Sequence, residues 1–195
     1  MIDPFVKRSL GQMIKGVQVV GAAHDGIERA YCSHWICQVS FAEPIVMASV
    51  STRHDTYPLI VESGAFSVSI LASDQIDVGQ YFSYPGRRFH YIATEYLDHP
   101  PAAGGLPVVR DCIAWLRCET FDRKPMVDHE LFFATVTAVG AGRLKEPPLL
   151  YSSRLGWRIT GDRARRPGHS VRDALLQRLA DAGYDTDGAD EVAED

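Results

Sequence analysis

The stretch that decides the fold runs from Gly26 to Thr56 and reads GIERAYCSHWICQVSFAEPIVMASVSTRHDT. Its apolar centre, Ile45 to Val50, is a continuous run of strand length. Upstream, the small or polar residues Cys32, Ser33 and Ser40 share a segment with Tyr31 and Trp35. That mixture suits an ordinary sheet face. It also suits a surface where a flat aromatic ligand lies close to backbone N–H groups. Downstream, Ser51, Thr52, Arg53, His54 and Thr56 gather just ahead of a helix start. Hydroxyls, a guanidinium and a helix N-terminus together can hold a phosphate. The competing reading is a polar turn that caps a helix, and Asp55 counts against an anion there.

Further strands flank this stretch. Val17 to Ala23 is apolar and β-prone, and Phe66 to Leu71 alternates Phe, Ser, Val, Ser, Ile, which predicts a sheet with unlike faces. Ile113 to Glu119 and Leu131 to Val139 also read as strands. A short helix is expected over Thr56 to Ser63, with Thr56 as its cap, Pro58 in its first turn and Gly64 at its end. A second is expected over Asp74 to Tyr81, capped by Ser73. Tyr84 to Gly105, with three prolines, reads as an irregular excursion over the barrel. Tyr81, Phe82, Tyr84, Phe89 and Tyr91 either cover a ligand there or pack into a core. Many strands with few short helices predict a mainly β fold, a barrel or sandwich with helical decorations. Gly140-Ala141-Gly142 lacks the spacing of a Rossmann turn, so dinucleotide binding by that fold is not expected.

The 195 residues fit one domain with a modest tail. A net charge of −5 argues against a non-specific nucleic-acid binder. No run approaches the ~18 apolar residues of a membrane span, and no apolar signal region follows the first residues. A cytoplasmic protein without nucleic-acid or membrane partners is therefore expected. Cys32, Cys37, Cys112 and Cys118 lack zinc-site spacing and read as free thiols. From Arg158 to Arg172 the chain turns basic, Ser170 to Ala182 reads as an amphipathic helix, and the last residues are acidic. The expected division is a barrel domain over 1–162, a basic linker and helix over 163–184, and a disordered tail over 185–195.

The order Ser33-His34-Trp35-Ile36-x-Gln38-Val39-Ser40-Phe41-x-x-Pro44, an apolar strand, then Ser51-x-Arg53-His54-x-Thr56-Tyr57 resembles the flavin reductase-like, FMN-binding split-barrel family. The likeness continues through Leu106-Pro107-Val108-Val109, Trp115-Leu116-x-Cys118-Glu119, Asp128-His129-x-Leu131-Phe132 and Pro148-Leu149-Leu150-Tyr151, covering residues 10 to 158. It implies a split β-barrel of Greek-key type with a C-terminal helix, usually a homodimer, with FMN near the dimer interface. It also implies that Tyr31, Cys32, Ser33 and His34 border the isoalloxazine, largely through backbone groups. Ser40 would lie near the ribityl chain or the strand turn, and Ser51, Arg53, His54 and Thr56 would hold the phosphate. His129 matches the histidine of a Gly-Asp-His motif associated with nicotinamide binding, and is the expected catalytic-site residue. The implied activity is hydride transfer from NADH or NADPH to flavin, supplying a separate monooxygenase. The alternative is an FMN-binding electron carrier or flavin store without NAD(P)H activity. Arg29, Cys32, His34 and Val127 depart from the family's usual Asn, Thr, Ser and Gly. Ser33-His34 and Ser51-His54 lack nucleophile-elbow glycines, which argues against hydrolase chemistry.

Overall fold

The structure, a computed structural model, describes residues 2–83, 93–159, 177, 180, 181 and 183. Contacts divide the chain into two units, Met1–Thr160 and Gly161–Asp195. In the second, Gln177, Ala180 and Asp181 are helical. The rest of the expected basic linker, C-terminal helix and acidic tail lies outside the described residues, as do Tyr84, Phe89 and Tyr91.

In the first unit the order is α1 (Pro4–Leu10), β1 (Lys15–Gly16), β2 (Gln18–His24), β3 (Ile27–Ser33), β4 (Ile36–Gln38), β5 (Ile45–Ser51) and α2 (Tyr57–Ser63). Then come β6 (Ala65–Ile70), α3 (Ile76–Ser83), α4 (Ala93–Tyr96), β7 (Leu97–Asp98), β8 (Val108–Val109) and β9 (Ala114–Pro125). The described part of the unit ends with β10 (His129–Ala141), β11 (Leu149–Ser152) and β12 (Gly156–Ile159). Seven strands form one antiparallel sheet in the order β3-β2-β6-β9-β10-β5-β4. A three-stranded sheet, β1-β11-β12, and the pair β7-β8 complete the fold.

That order forces the sheet to curl. β3 and β4 are its two edges, yet only His34 and Trp35 separate them in sequence. Three Cα steps of about 3.8 Å span at most roughly 11 Å. Flat, the edges of seven strands spaced about 4.8 Å would stand roughly 29 Å apart. The sheet therefore bends into the split barrel that the resemblance implies, with the Ser33–Ile36 link drawing its edges together. The β2–β3 hairpin turns on Asp25 and Gly26, both at positive φ, as a two-residue loop of this hand requires.

Alternate residues of β2, together with Val17 just before it, feed two separate cores. Val20 and Ala22 pack inside the barrel with Val50, Phe66 and Phe132. Val17 and Val19 pack outside it with Leu71, Phe82 and Leu149. The same alternation sends Tyr31 inward, and Ala30 and Cys32 outward. Phe66 and Phe132 are fully buried, and truncating either costs roughly 3–5 kcal/mol.

The five expected strands are present within a few residues of their expected ends, and β9 and β10 run longer than expected. Three local expectations need correction. Thr56 does not cap α2: its own backbone is helical and its hydroxyl makes no capping bond. Gly64 does end that helix, at φ 67°, a conformation that suits glycine. The second helix starts at Ile76 rather than Asp74, because the Gln75 side chain takes the Ala72 N–H at 3.1 Å. Its Gly79 is required by packing, since a Cβ there would stand 2.9 Å from the Trp157 ring. The excursion after residue 84 is also less irregular than expected, for α4, β7 and a 3₁₀ turn at Pro101–Ala103 lie within it. The serine face of β6 is buried: Ser69 Oγ accepts from Val109 N at 2.9 Å and Ser67 Oγ donates to Pro107 O. Helix α1 carried no expectation from the sequence; Asp3 caps it by accepting from Phe5 N at 2.8 Å.

Candidate functional site

The site assembles where the closing link meets the C-terminal end of β5 and the start of β10. Ser51 and His129 are register partners across β5 and β10, so the phosphate-type turn and the candidate nicotinamide residue are neighbours. Trp35, half exposed, reaches over from the link. Its ring meets the His129 ring edge-on with centroids 4.8 Å apart. Lys15 holds its ammonium 5.7 Å above the same indole. From β3, Tyr31 stacks on His54 at 4.4 Å and 25°. Five of the ten expected site residues, Tyr31, Ser51, Arg53, His54 and His129, thus form one connected cluster. Within it Ser51 Oγ accepts from Arg53 N at 3.4 Å.

Electrostatics tie the cluster together. Burial pushes the His54 pKa below its ordinary value, the nearby Asp55 opposes that, and His129 adds to it. His129 Nδ1 lies 2.9 Å from Asp128, and this bond holds the Asp128 carboxyl below the usual carboxylate range. Asp55, which counted against an anion, has its charge offset by Arg29 Nε at 3.3 Å. Around this cluster two buried hydroxyls, those of Tyr31 and Thr56, have no hydrogen-bond partner. Burial raises the Tyr31 pKa, so its hydroxyl stays protonated. An orphaned buried donor is costly unless something accepts from it. Thr56 sits beside Ser51, Arg53 and His54, so the donor set of this turn fits a phosphate.

The remaining expected residues go elsewhere. Ser33 is buried and takes the Trp35 N–H at 3.3 Å. Cys32 faces the outer core, where burial raises its thiol pKa to about 11. His34 stacks on Tyr151 at 4.2 Å, edge-on to Trp157, and burial lowers its pKa. Side chains 32 and 34 therefore do not join the cluster. β3 pairs only with β2, so its outer N–H and C=O groups remain free of the ladder. Ser40 lies in the β4–β5 turn, accepting from Glu43 N at 3.1 Å. At about 3.3 Å per residue it stands roughly 16 Å along the chain from Trp35.

Lys15 and Trp157 carried no expectation from the sequence, and Asp128 and Tyr151 entered it only as letters of the resemblance, with no site role. Asp128 had a signal, its adjacency to His129. Nothing in the sequence signalled that Lys15 and Tyr151 meet, for they do so through the β1–β11 ladder between opposite ends of the domain.

The chain's residues 10–155 match the family model described as flavin reductase like domain. The chain belongs to that family. The reductase component of 4-hydroxyphenylacetate 3-monooxygenase from Thermus thermophilus is 32% identical over 148 residues, 76% of this chain and 91% of that protein. The NADH-dependent flavin reductase StyB of Pseudomonas fluorescens is 27% identical over 152 residues, 74% of this chain and 83% of that one. Among solved structures, the Streptomyces globisporus NADH:FAD oxidoreductase SgcE6, in complex with NAD and FAD fragments, aligns with a TM-score of 0.74. It is 20% identical and covers 85% of this chain and 99% of that chain. That likeness supports the flavin reductase split barrel as the fold.

Proposed function

We propose that this chain is a flavin reductase that takes a hydride from a reduced nicotinamide and delivers reduced flavin to a separate monooxygenase. The observation that carries the reading is the cluster itself: the phosphate-type turn, His129 and the Tyr31–Trp35 segment meet at one end of the barrel.

When bound, the flavin supplies the redox chemistry, accepting hydride and passing electrons onward. The protein's part is positioning and electrostatics. Ser51, Arg53 and Thr56 bind the FMN phosphate. The free edge of β3 donates backbone hydrogen bonds to the ring's polar rim. His129 orients the nicotinamide, with Asp128 holding the imidazole through Nδ1. The Trp35 indole excludes water from the ring faces. No acid–base side chain is required for hydride delivery.

The proposed homodimer is supported by an apolar groove of about 380 Å³ whose lining includes Ile36, Ile45, Val136 and Val139. Nearby Phe41 is fully exposed. Light scattering that returned a monomer mass would sink the dimer. No helix among the described residues is long and apolar enough to cross a membrane.

One observation favours the second reading, an electron carrier or flavin store. Val127 stands fully exposed at the β9–β10 tip beside His129, where a glycine would let a second ring system approach more closely. An anaerobic titration with FMN, then NADH, separates the two. Bleaching of the flavin bands by NADH is expected. Bleaching by dithionite alone would replace the reductase with a carrier, and no affinity for FMN would end both readings.

A further inference from the structure

A cavity of about 460 Å³ opens between α1 and the β11–β12 turn, away from the ring cluster. Among the described residues Lys7, Arg8, Gly11, Ser153 and Arg154 line it, three of them cationic and none acidic. Its size falls within the ~300–1,000 Å³ of small-molecule sites. Elsewhere, Arg29, Arg117, Arg123 and Arg143 each have a carboxylate oxygen within 3.5 Å. Among the described residues no carboxylate pairs with Lys7, Arg8 or Arg154. Arg8 Nε reaches only the Pro4 carbonyl, at 3.4 Å.

Basic side chains in a last helical turn commonly serve the helix's free carbonyls. Here the Lys7 and Ser9 carbonyls already accept from Gly11 N at 3.0 Å and Gln12 N at 3.1 Å. Arg154 comes from the opposite end of the domain. The walls are tied together, for the buried Ser152 hydroxyl donates to the Gly11 carbonyl at 3.0 Å. Cations from two distant segments of the sequence thus line one cavity. It also continues the β1–β11 ladder in which Lys15, beside Trp35, partners Tyr151. Ser153 and Arg154 lie two and three residues past Tyr151, roughly 7–10 Å of extended chain.

We propose that this cavity binds the phosphate-bearing adenosine end of the pyridine-nucleotide donor whose nicotinamide end is read at His129. The choice of ligand rests on the reductase reading; the anion chemistry does not. Two guanidiniums and an ammonium suit phosphate oxygens, the guanidiniums by paired N–H donors.

The test measures binding without turnover. Adenosine 2′,5′-bisphosphate, adenosine and FMN are each titrated calorimetrically onto the full chain, wild type and K7Q/R8Q/R154Q, with thermal melts to check folding. All three positions are exposed, so the variant is expected to melt with the wild type; if it does not, R154Q alone supplies the same readout at smaller amplitude. The bisphosphate is expected to bind the wild type, to lose about tenfold or more in affinity in the variant, and to weaken with salt. FMN affinity stays unchanged, and K7R/R154K retains bisphosphate binding. Equal bisphosphate affinity in wild type and variant, or no preference over adenosine, overturns the proposal. Loss of FMN affinity alone also overturns it, because the phosphate bound there is then the flavin's. Since no hydride moves, a chain that binds the bisphosphate in this way but never oxidises NADH loses the reductase reading and keeps the anion site.

Discussion

The link from Ser33 to Ile36 and the turn from Ser51 to Tyr57 both end against His129, yet they are held by different means. The link is held by topology. It must bridge the two edges of a seven-stranded sheet, and its flanking side chains are sorted between two cores. The turn is held by short local bonds, His54 N to Ser51 O and Tyr57 N to His54 O, both 3.1 Å. Arg53 and Asp55 in it are exposed. The difference teaches how each contributes. The link presents a fixed backbone edge, and the turn presents side chains.

The largest expected effect breaks the contact between the turn and β3, the strand that leads into the link. Tyr31→Ala removes a buried ring from the barrel core and from the His54 stack, at a cost of roughly 3–5 kcal/mol, read from urea midpoints. A loss below about 1 kcal/mol would mean the link does not depend on this packing. Next, His129→Ala should raise the apparent KM for NADH about tenfold, some 1.4 kcal/mol, while FMN affinity stays near wild type. Unchanged steady-state kinetics would remove His129 from the site.

Thr56→Val sharpens the comparison, because it sets stability against function. Deleting an orphaned buried hydroxyl should leave stability unchanged or raise it by about 1 kcal/mol. FMN affinity should fall; equal FMN affinity would take Thr56 out of the phosphate site. Arg29→Ala tests the exposed tie between β3 and the turn and should cost under about 1 kcal/mol. A gentler effect is read against pH. Burial lowers the pKa of both His34 and His54, so the unfolded chain binds protons more readily than the native one. Stability is then complete above the unfolded value near 6.5 and falls as pH drops below it. His54→Gln should flatten that slope, and a wild-type midpoint that rose on acidification would contradict the sign.

Much of this was legible in the chain. The apolar run of β5, the alternation of β6, and Pro58 with Gly64 around α2 are local signals with local causes. So is the grouping of Ser51, Arg53, His54 and Thr56. The Asp25-Gly26 hairpin turn was equally readable and carried no expectation. Thr56 was misjudged because a capping residue and a buried helical residue have the same letter; backbone angles distinguish them. Helix α1 lacks any buried side chain, so no apolar stripe announced it.

The Gly26–Thr56 sequence by itself determined that strands flank a polar turn carrying hydroxyls, a guanidinium and an imidazole, because strand period and side-chain type are local properties. It did not determine which way residues 31 to 34 face. β2 is buried on both sides, so hydrophobicity alone does not tell the inner face from the outer. Only the tertiary structure turned Tyr31 inward and Cys32 and His34 outward, because only the pairing order made β3 an edge that the next two residues had to carry to the other. The pairing of Lys15 with Tyr151 and the meeting of Lys7 and Arg154 around one cavity are likewise contacts between the two ends of the domain that no local pattern encodes.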